Sequence, residues 1–187
     1  MMQYLKSLGL ALGAAALIGA IAPAWVQASD DRVAAAEAAP TVPALETRSY
    51  TYADLFSIAF PVGWQIDERA EAPQVVAEST GANGHLPAIR TEVSWQNAPP
   101  RQVVGESLEA LREKGYTVTR YDAATIDGVT AVRLWVSEIP DDLPNAFITY
   151  VGYPTATATI TSYYGDTTGN MDPVLMGIHQ SFARSSQ

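Results

Sequence analysis

Four β-rich segments follow one another in the C-terminal half of the chain, and their short connections restrict the possible folds more than any other feature. The segments are residues 116–125, 130–139, 146–153 and 157–164. Asp127-Gly128, the strongest short hairpin signal in the sequence, joins the first two. Parallel neighbours need a connection of roughly a dozen residues or more, so connections this short require antiparallel pairing. The sequence therefore predicts a four-strand antiparallel meander.

Additional strands are predicted before the meander. Phe56, Ile58 and Phe60 alternate with smaller residues, as in a half-buried strand, and a turn with Gly63 follows. Further strands are predicted at residues 64–66, 75–79 and 89–96.

Two helices complete the predicted set of elements. One is expected from Pro100 to Lys114, and the other begins with Asp172 as N-cap. The second helix is predicted to pack on the sheet through one apolar stripe, formed by Met171, Leu175, Ile178 and Phe182. Together the elements predict an α+β fold in which helices pack on the faces of an antiparallel β-sheet.

The N-terminal segment is typical of a cleavable secretory signal. Lys6 supplies a positive charge, an apolar run extends over residues 8–21, and Val26-Gln27-Ala28 presents small residues for cleavage after Ala28. The alternative is a retained membrane helix, but the apolar run is short and no basic flank follows it. The domain prediction is a signal peptide at 1–28, a disordered linker at 29–48 and a folded domain at 49–187.

Charge and cysteine content exclude several classes of protein. The formal net charge is −9, and an acidic protein repels phosphate backbones, so nucleic acid is a poor partner. The sequence has no cysteine, which excludes a lipidated cysteine anchor, thiol catalysis, cysteine-ligated zinc and iron–sulfur clusters. The mature protein is therefore expected to be exported and to have no stable membrane anchor.

Catalytic side chains are few, and the sequence predicts that the protein is not an enzyme. His85 and His179 are the only histidines. His85 lies in a Gly-rich loop, and His179 is expected to flank the apolar stripe of the last helix. Ser107 lies in a Gly-Glu-Ser-Leu-Glu segment inside a predicted helix, whereas a nucleophile elbow places its serine at a strand-to-helix turn.

Two sets of residues are candidates for binding. The first combines aromatic rings with a guanidinium on the meander: Arg133, Trp135, Tyr150 and Tyr153. Such residues are favoured at interfaces, and the alternative is that their rings complete the core. The second set offers carboxylate oxygens that suit Ca²⁺ or Mn²⁺: Glu138, Asp141 and Asp142. Its alternative is a solvated turn that holds no metal.

Three segments carry a resemblance to a known family. They are residues 56–64 (FSIAFPVGW), 126–134 (IDGVTAVRL) and 178–182 (IHQSF). The chain resembles, from about residue 50 to 184, the PsbP-like superfamily of Mog/PsbP/DcrB-type α/β sandwiches, and its export signal is similar to the exported bacterial or cyanobacterial branch. Cyanobacterial photosystem-associated members are typically lipoproteins, and the absence of cysteine departs from that pattern.

The resemblance implies a non-catalytic accessory module of the periplasm or thylakoid lumen. Such a module binds a protein partner and assists the assembly or stability of a membrane complex such as a photosystem. The alternative hypothesis is a periplasmic protein that binds a small ligand or a divalent cation. The sequence predicts no cofactor, with Ca²⁺ or Mn²⁺ as the alternative, and it does not indicate the oligomeric state.

Overall fold

The computed structural model describes residues 45–79, 87–165 and 171–185. The predicted signal peptide, His85 and the predicted linker up to residue 44 lie outside the described residues. The elements are β1 (Thr47–Tyr52), β2 (Phe56–Pro61), β3 (Gln65–Glu68), β4 (Val75–Ser79), β5 (Ile89–Gln96), α1 (Pro100–Glu113), β6 (Thr117–Ile126), β7 (Val129–Ser137), β8 (Asn145–Gly152), β9 (Thr157–Tyr164), α2 (Asp172–Gln180) and β10 (Ala183–Arg184). Thr47 and Arg48, assigned to the linker from the sequence, lie in β1.

The larger sheet has seven strands in the order β3-β4-β5-β9-β8-β7-β6. All of its neighbouring strands are antiparallel, and β6 to β9 form the predicted meander. Asp127 and Gly128 join β6 to β7 with φ values of 50° and 71°. Both residues adopt the left-handed backbone conformation. The two-residue turn that matches the twist of a hairpin requires this conformation at both positions. The α+β fold class predicted from the sequence is confirmed.

A second sheet, which the sequence analysis did not separate from the first, has three strands in the order β1-β2-β10. Its central strand turns Phe56, Ile58 and Phe60 into the core, where they pack with residues of the larger sheet. The apolar face of β2 must be buried, and one face of the larger sheet covers it. The strand therefore stacks on the larger sheet as part of a second sheet.

The two helices lie on opposite faces of the seven-stranded sheet. Val103 of α1 packs with Leu134 and Ile148 on one face, whereas Leu175 of α2 packs with Trp135 and Phe147 on the other. The predicted apolar stripe is confirmed, since all four of its members are buried. The predicted N-cap is corrected by one residue, because the cap is Met171 and α2 begins at Asp172. Neither helix of the described chain has the length and apolarity needed to cross a membrane.

Two glycines are expected to respond to alanine in opposite directions. Gly63 has a φ of 91°, where an alanine is strained, so Gly63→Ala is expected to destabilise the protein by about 1 to 2 kcal/mol. Gly105 lies exposed inside α1 with open space around its Cα, so Gly105→Ala is expected to stabilise it by about 0.5 to 1 kcal/mol. Urea unfolding of both variants measures the two changes, and equal signs would contradict the prediction.

Candidate functional site

An open cavity of about 400 Å³ lies beside β1, the end of β2 and the start of β3. Its apolar and aromatic lining is formed by Tyr50, Phe60, Val62, Trp64 and Ile66, and Arg48 is the cation among the lining residues. Small-molecule and side-chain pockets in proteins commonly have volumes of about 300 to 1,000 Å³. The cavity is therefore large enough to receive an apolar group from a ligand or a partner.

The turn between β2 and β3 builds the wall of this cavity. Trp64 donates its backbone N–H to the Pro61 carbonyl at 3.3 Å, and the positive φ of Gly63 closes the turn. This turn places the Trp64 ring over the Phe60 ring, with centroids 6.0 Å apart and a 20° angle between their planes. A stacked pair at the end of a strand forms a firm aromatic surface.

Tyr50 of β1 closes the opposite side of the cavity. Its ring centroid lies 6.4 Å from that of Phe60, and its hydroxyl donates a hydrogen bond to the Glu68 carboxylate of β3. Burial first, and that hydrogen bond second, raise the pKa of the Tyr50 phenol above its ordinary value. Tyr50 therefore remains a neutral donor that links the two sheets at the rim of the cavity.

The rim of the cavity carries exposed apolar groups, and the Glu68 carboxylate lies beside it, bonded to the Tyr50 hydroxyl. Val62 is 55% exposed, which is high for an aliphatic side chain, and Ile66 is also exposed. Four carboxylates and one arginine lie between Gln65 and Ser79, namely Asp67, Glu68, Glu71, Glu78 and Arg69. Exposed apolar groups bordered by charge are characteristic of binding surfaces.

The four predicted binding residues do not gather on one exposed surface. Arg133 and Trp135 share a strand face, as predicted, but that face is covered by α2: Arg133 Nη2 donates to Gln180 Oε1 at 2.8 Å and Trp135 Nε1 donates to Asp172 Oδ1 at 3.1 Å. The other two lie elsewhere. Tyr150 points to the opposite face, where its hydroxyl bonds to Ser107 of α1, and Tyr153 donates to Asp127 at 2.7 Å. All four are buried, and the three aromatic rings complete the core.

The predicted metal ligands Glu138, Asp141 and Asp142 do not converge. Within the described residues, no group of three histidine, aspartate or glutamate side chains could hold a metal ion. The carboxylates point to different partners, since Glu138 accepts a hydrogen bond from Thr117 and Asp141 lies 3.8 Å from Arg90. Asp142 donates its backbone N–H to Asp141 at 2.7 Å, as in a polar turn. Asp141 and Asp142 thus lie in a polar turn, and the structure does not bring the three carboxylates together.

His179, predicted to flank the apolar stripe of α2, is fully buried between that helix and the sheet. Its Nδ1 is 2.7 Å from the Thr149 hydroxyl and its Nε2 is 2.9 Å from the Ser162 hydroxyl, which in turn lies 2.7 Å from that of Thr91. The Phe147 ring packs on the imidazole at 4.5 Å. Burial first, and the charge of Arg133 second, lower the pKa of His179 to about 3.

A serine bonded to a histidine can form a nucleophile and its base. Here His179, Ser162, Thr149 and Thr91 are all 0% exposed. A substrate cannot reach the Ser162 hydroxyl, so this pair has a structural role: its hydrogen bonds satisfy polar groups that the core would otherwise leave unpaired.

Sequence reasoning missed the cavity, although it singled out most of the residues that form it. The sequence of residues 56–64 predicts a strand followed by a turn, and it carries part of the family resemblance. The missed signal is the position of two aromatic residues, Phe60 and Trp64, on either side of a turn that carries an apolar residue at its tip, Val62. An apolar residue at a turn tip has no core to enter, so it marks an exposed apolar surface.

Comparison with known proteins identifies the fold. Cyanobacterial PsbP from Synechocystis aligns with 78% of this chain and 96% of its own, with a TM-score of 0.57 and 11% identity. A protein of unknown function from Pseudomonas aeruginosa aligns with 73% of this chain and 95% of its own, with a TM-score of 0.46 and 16% identity. No protein-family model and no curated protein matches the sequence. The likeness to cyanobacterial PsbP shows that the fold is PsbP-like, as the sequence resemblance implied.

Proposed function

We propose that this chain is an exported, non-catalytic accessory module that binds a protein of a membrane complex through the cavity beside β1, β2 and β3. The observation that carries the proposal is the exposed apolar pair at the rim of that cavity, Val62 and Ile66, beside the partly buried Trp64 ring that stacks on the buried Phe60. The fold likeness to cyanobacterial PsbP supports an accessory role, and a photosystem is one complex of the proposed kind.

The chemistry around the cavity favours an extended, basic segment as the bound part of the partner. β1 is an edge strand, and four of its residues, 48–51, line the cavity, so an extended segment can lie along β1 and insert one apolar side chain. The carboxylates of residues 65–79 and the net charge of −9 favour lysine or arginine beside that side chain. The partner segment is thus expected to be apolar at its centre and basic at its ends.

A pair of matched substitutions tests this function. Val62→Glu places a charge in the cavity, whereas Leu108→Glu places the same charge at an exposed apolar residue of α1, outside the cavity. Both residues are exposed, at 55% and 40%, so both variants are expected to fold. In co-sedimentation with the native membrane fraction, Val62→Glu is expected to weaken binding at least about tenfold and Leu108→Glu by less than about twofold.

Equal losses from both variants, or no binding by the native protein, would contradict the proposed function. The partner is then identified in the native membrane fraction by cross-linking from a photoreactive group at residue 66, because Ile66 lines the cavity and is exposed. N-terminal sequencing of the exported protein tests the export step, and Ser29 is the expected first residue.

A small apolar ligand is the second candidate, and the cavity volume of about 400 Å³ favours it. Titration with the neutral dye Nile red distinguishes the two functions. Saturable dye binding that Val62→Glu abolishes, together with unchanged co-sedimentation with membranes, would support the small-ligand function over the protein partner.

A further inference from the structure

β6 is the outermost strand of the seven-stranded sheet, at the edge opposite β3. It is ten residues long, and among the described residues its only strand partner is β7. An edge strand of this length presents a row of unpaired backbone N–H and C=O groups, which proteins normally protect with charges, bulges or a covering element. The outer side of β6 is therefore a surface on which another strand can pair.

The turn at the end of β6 determines which backbone groups face outward. A two-residue hairpin turn is closed by a hydrogen-bonded pair, here Ile126 and Val129. Hydrogen-bonded and non-hydrogen-bonded pairs then alternate along the ladder. Ala124 and Asp122 consequently bond to β7, whereas Ala123 and Tyr121 direct their backbone N–H and C=O groups away from it.

The centre of this edge is exposed. Tyr121 is 77% exposed, the highest exposure of any large apolar or aromatic side chain in the described chain. Its two neighbours, Arg120 and Asp122, have opposite charges and lie 3.2 Å apart as an ion pair within the chain, where Arg120 also lies 3.4 Å from Asp172. The Arg120 and Asp122 side chains are 53% and 34% exposed, so both remain accessible to a second copy. Like charges along an edge repel a second copy, but opposite charges placed symmetrically around one residue attract it.

We propose that two copies of this chain pair antiparallel along β6, with their two-fold axis at Tyr121. In this register Tyr121 lies opposite Tyr121 of the partner subunit, and their outward backbone groups exchange two hydrogen bonds. Arg120 lies opposite Asp122 of the partner subunit, and the symmetry repeats that ion pair. An interface related by a two-fold axis must be self-complementary, and this register satisfies both the backbone and the charges.

Two further antiparallel registers use the outward backbone groups of Tyr121 and Ala123, with their axes at Asp122 and at Ala123. The first places Asp122 opposite Asp122 of the partner subunit, and the second places Arg120 opposite Ile126 of the partner subunit, so neither joins opposite charges. Charge complementarity therefore selects the Tyr121 register. The pairing of β6 with β7 shifts between Val118 and Arg120, and this bulge limits the regular ladder around the axis to residues 120–122. In this dimer the seven-stranded sheets of the two subunits form one continuous sheet.

Sedimentation equilibrium of the purified protein over a range of concentrations tests the dimer. The native protein is expected to reach twice the monomer mass. Arg120→Asp places like charges opposite each other twice, and is expected to raise the dissociation constant at least about tenfold. Combining it with Asp122→Arg restores opposite charges, and the double variant is expected to recover dimerisation to within about threefold of the native protein.

A monomer at every concentration would overturn the proposal, as would a double variant that dimerises no better than Arg120→Asp. Amide exchange of the native protein gives a readout that needs no variant. The amide of Tyr121 faces away from β7 and bonds across the two-fold axis, so it is expected to be protected only at concentrations where the dimer forms. Protection that is independent of concentration, or rapid exchange in the dimer, would equally exclude this register.

Discussion

Replacing His179 with alanine is expected to lower the free energy of unfolding by about 3 to 5 kcal/mol. The substitution removes a ring that is fully buried against Phe147 and leaves a cavity in its place. It also removes the hydrogen-bond partner of two buried hydroxyls, those of Thr149 and Ser162. Both losses act in the same direction, because neither hydroxyl can reach water in the core.

His179→Gln is the matched control for this prediction. Glutamine retains an acceptor and a donor, so it can bond at least one of the two hydroxyls and leaves a smaller cavity. Urea unfolding is expected to rank the native protein as the most stable, the glutamine variant as intermediate and the alanine variant as the least stable. An alanine variant as stable as the glutamine variant would mean that the hydrogen bonds of His179 contribute nothing to stability.

The buried imidazole also makes stability depend on pH. The pKa of His179 is lowered from 6.5 to about 3 in the folded protein. Below pH 6.5 the unfolded chain therefore binds a proton at this residue that the folded protein does not bind. Stability is lost as the pH falls from 6.5 towards 3, with a limiting slope of about 1.4 kcal/mol per pH unit.

The difference between the native protein and His179→Gln isolates this effect, because the carboxylates titrate in both. The stability advantage of the native protein is expected to shrink by about 2 kcal/mol between pH 7 and pH 5. A difference that stays constant over this range would mean that His179 can be protonated in the folded state, with its burial and the charge of Arg133 too weak to prevent it.

The strands and helices of this fold could be predicted from the sequence because their signals are local. Asp127-Gly128 indicates a hairpin, and the spacing of Leu175 and Ile178 indicates a buried helix face, without reference to any distant residue. The division into two sheets is not local. β10 pairs with β2 across more than 100 residues of sequence, through Ala183 opposite Ser57, and no periodicity within either segment reports that pairing.

For the predicted binding residues, the sequence could determine only which of them share a face of a strand, because alternate residues of a strand point to the same side. Parity placed Arg133 and Trp135 on one face correctly, but the sequence did not indicate that α2 covers that face. The same limit applies to His179, which follows a buried isoleucine in the sequence but points into the core between β8 and β9. Its burial depends on the hydroxyls of Thr149 and Ser162, which become its neighbours only when helix and sheet pack together.

Replacing Asp127 with alanine is expected to lower the free energy of unfolding by about 2 to 3 kcal/mol. One carboxylate oxygen of Asp127 accepts hydrogen bonds from the Tyr153 hydroxyl at 2.7 Å and from the Arg184 backbone N–H at 2.9 Å. The residue also has a φ of 50°, which aspartate tolerates better than alanine. The carboxylate thus links the β6–β7 hairpin to the end of β8 and to β10.

Asp127→Asn separates the contributions of the turn and of the charge. Asparagine tolerates the same φ and keeps one acceptor, so its loss is expected to be at most about 1 kcal/mol. Tyr153→Phe removes the buried donor, and in that background Asp127→Ala is expected to cost less than in the native protein, because no phenol is left unpaired. Additive losses would mean that Asp127 acts through the turn and through its bond to the Arg184 backbone N–H, and not through Tyr153. A smaller loss in the Tyr153→Phe background would instead identify the Tyr153 hydroxyl as a group that makes this carboxylate necessary.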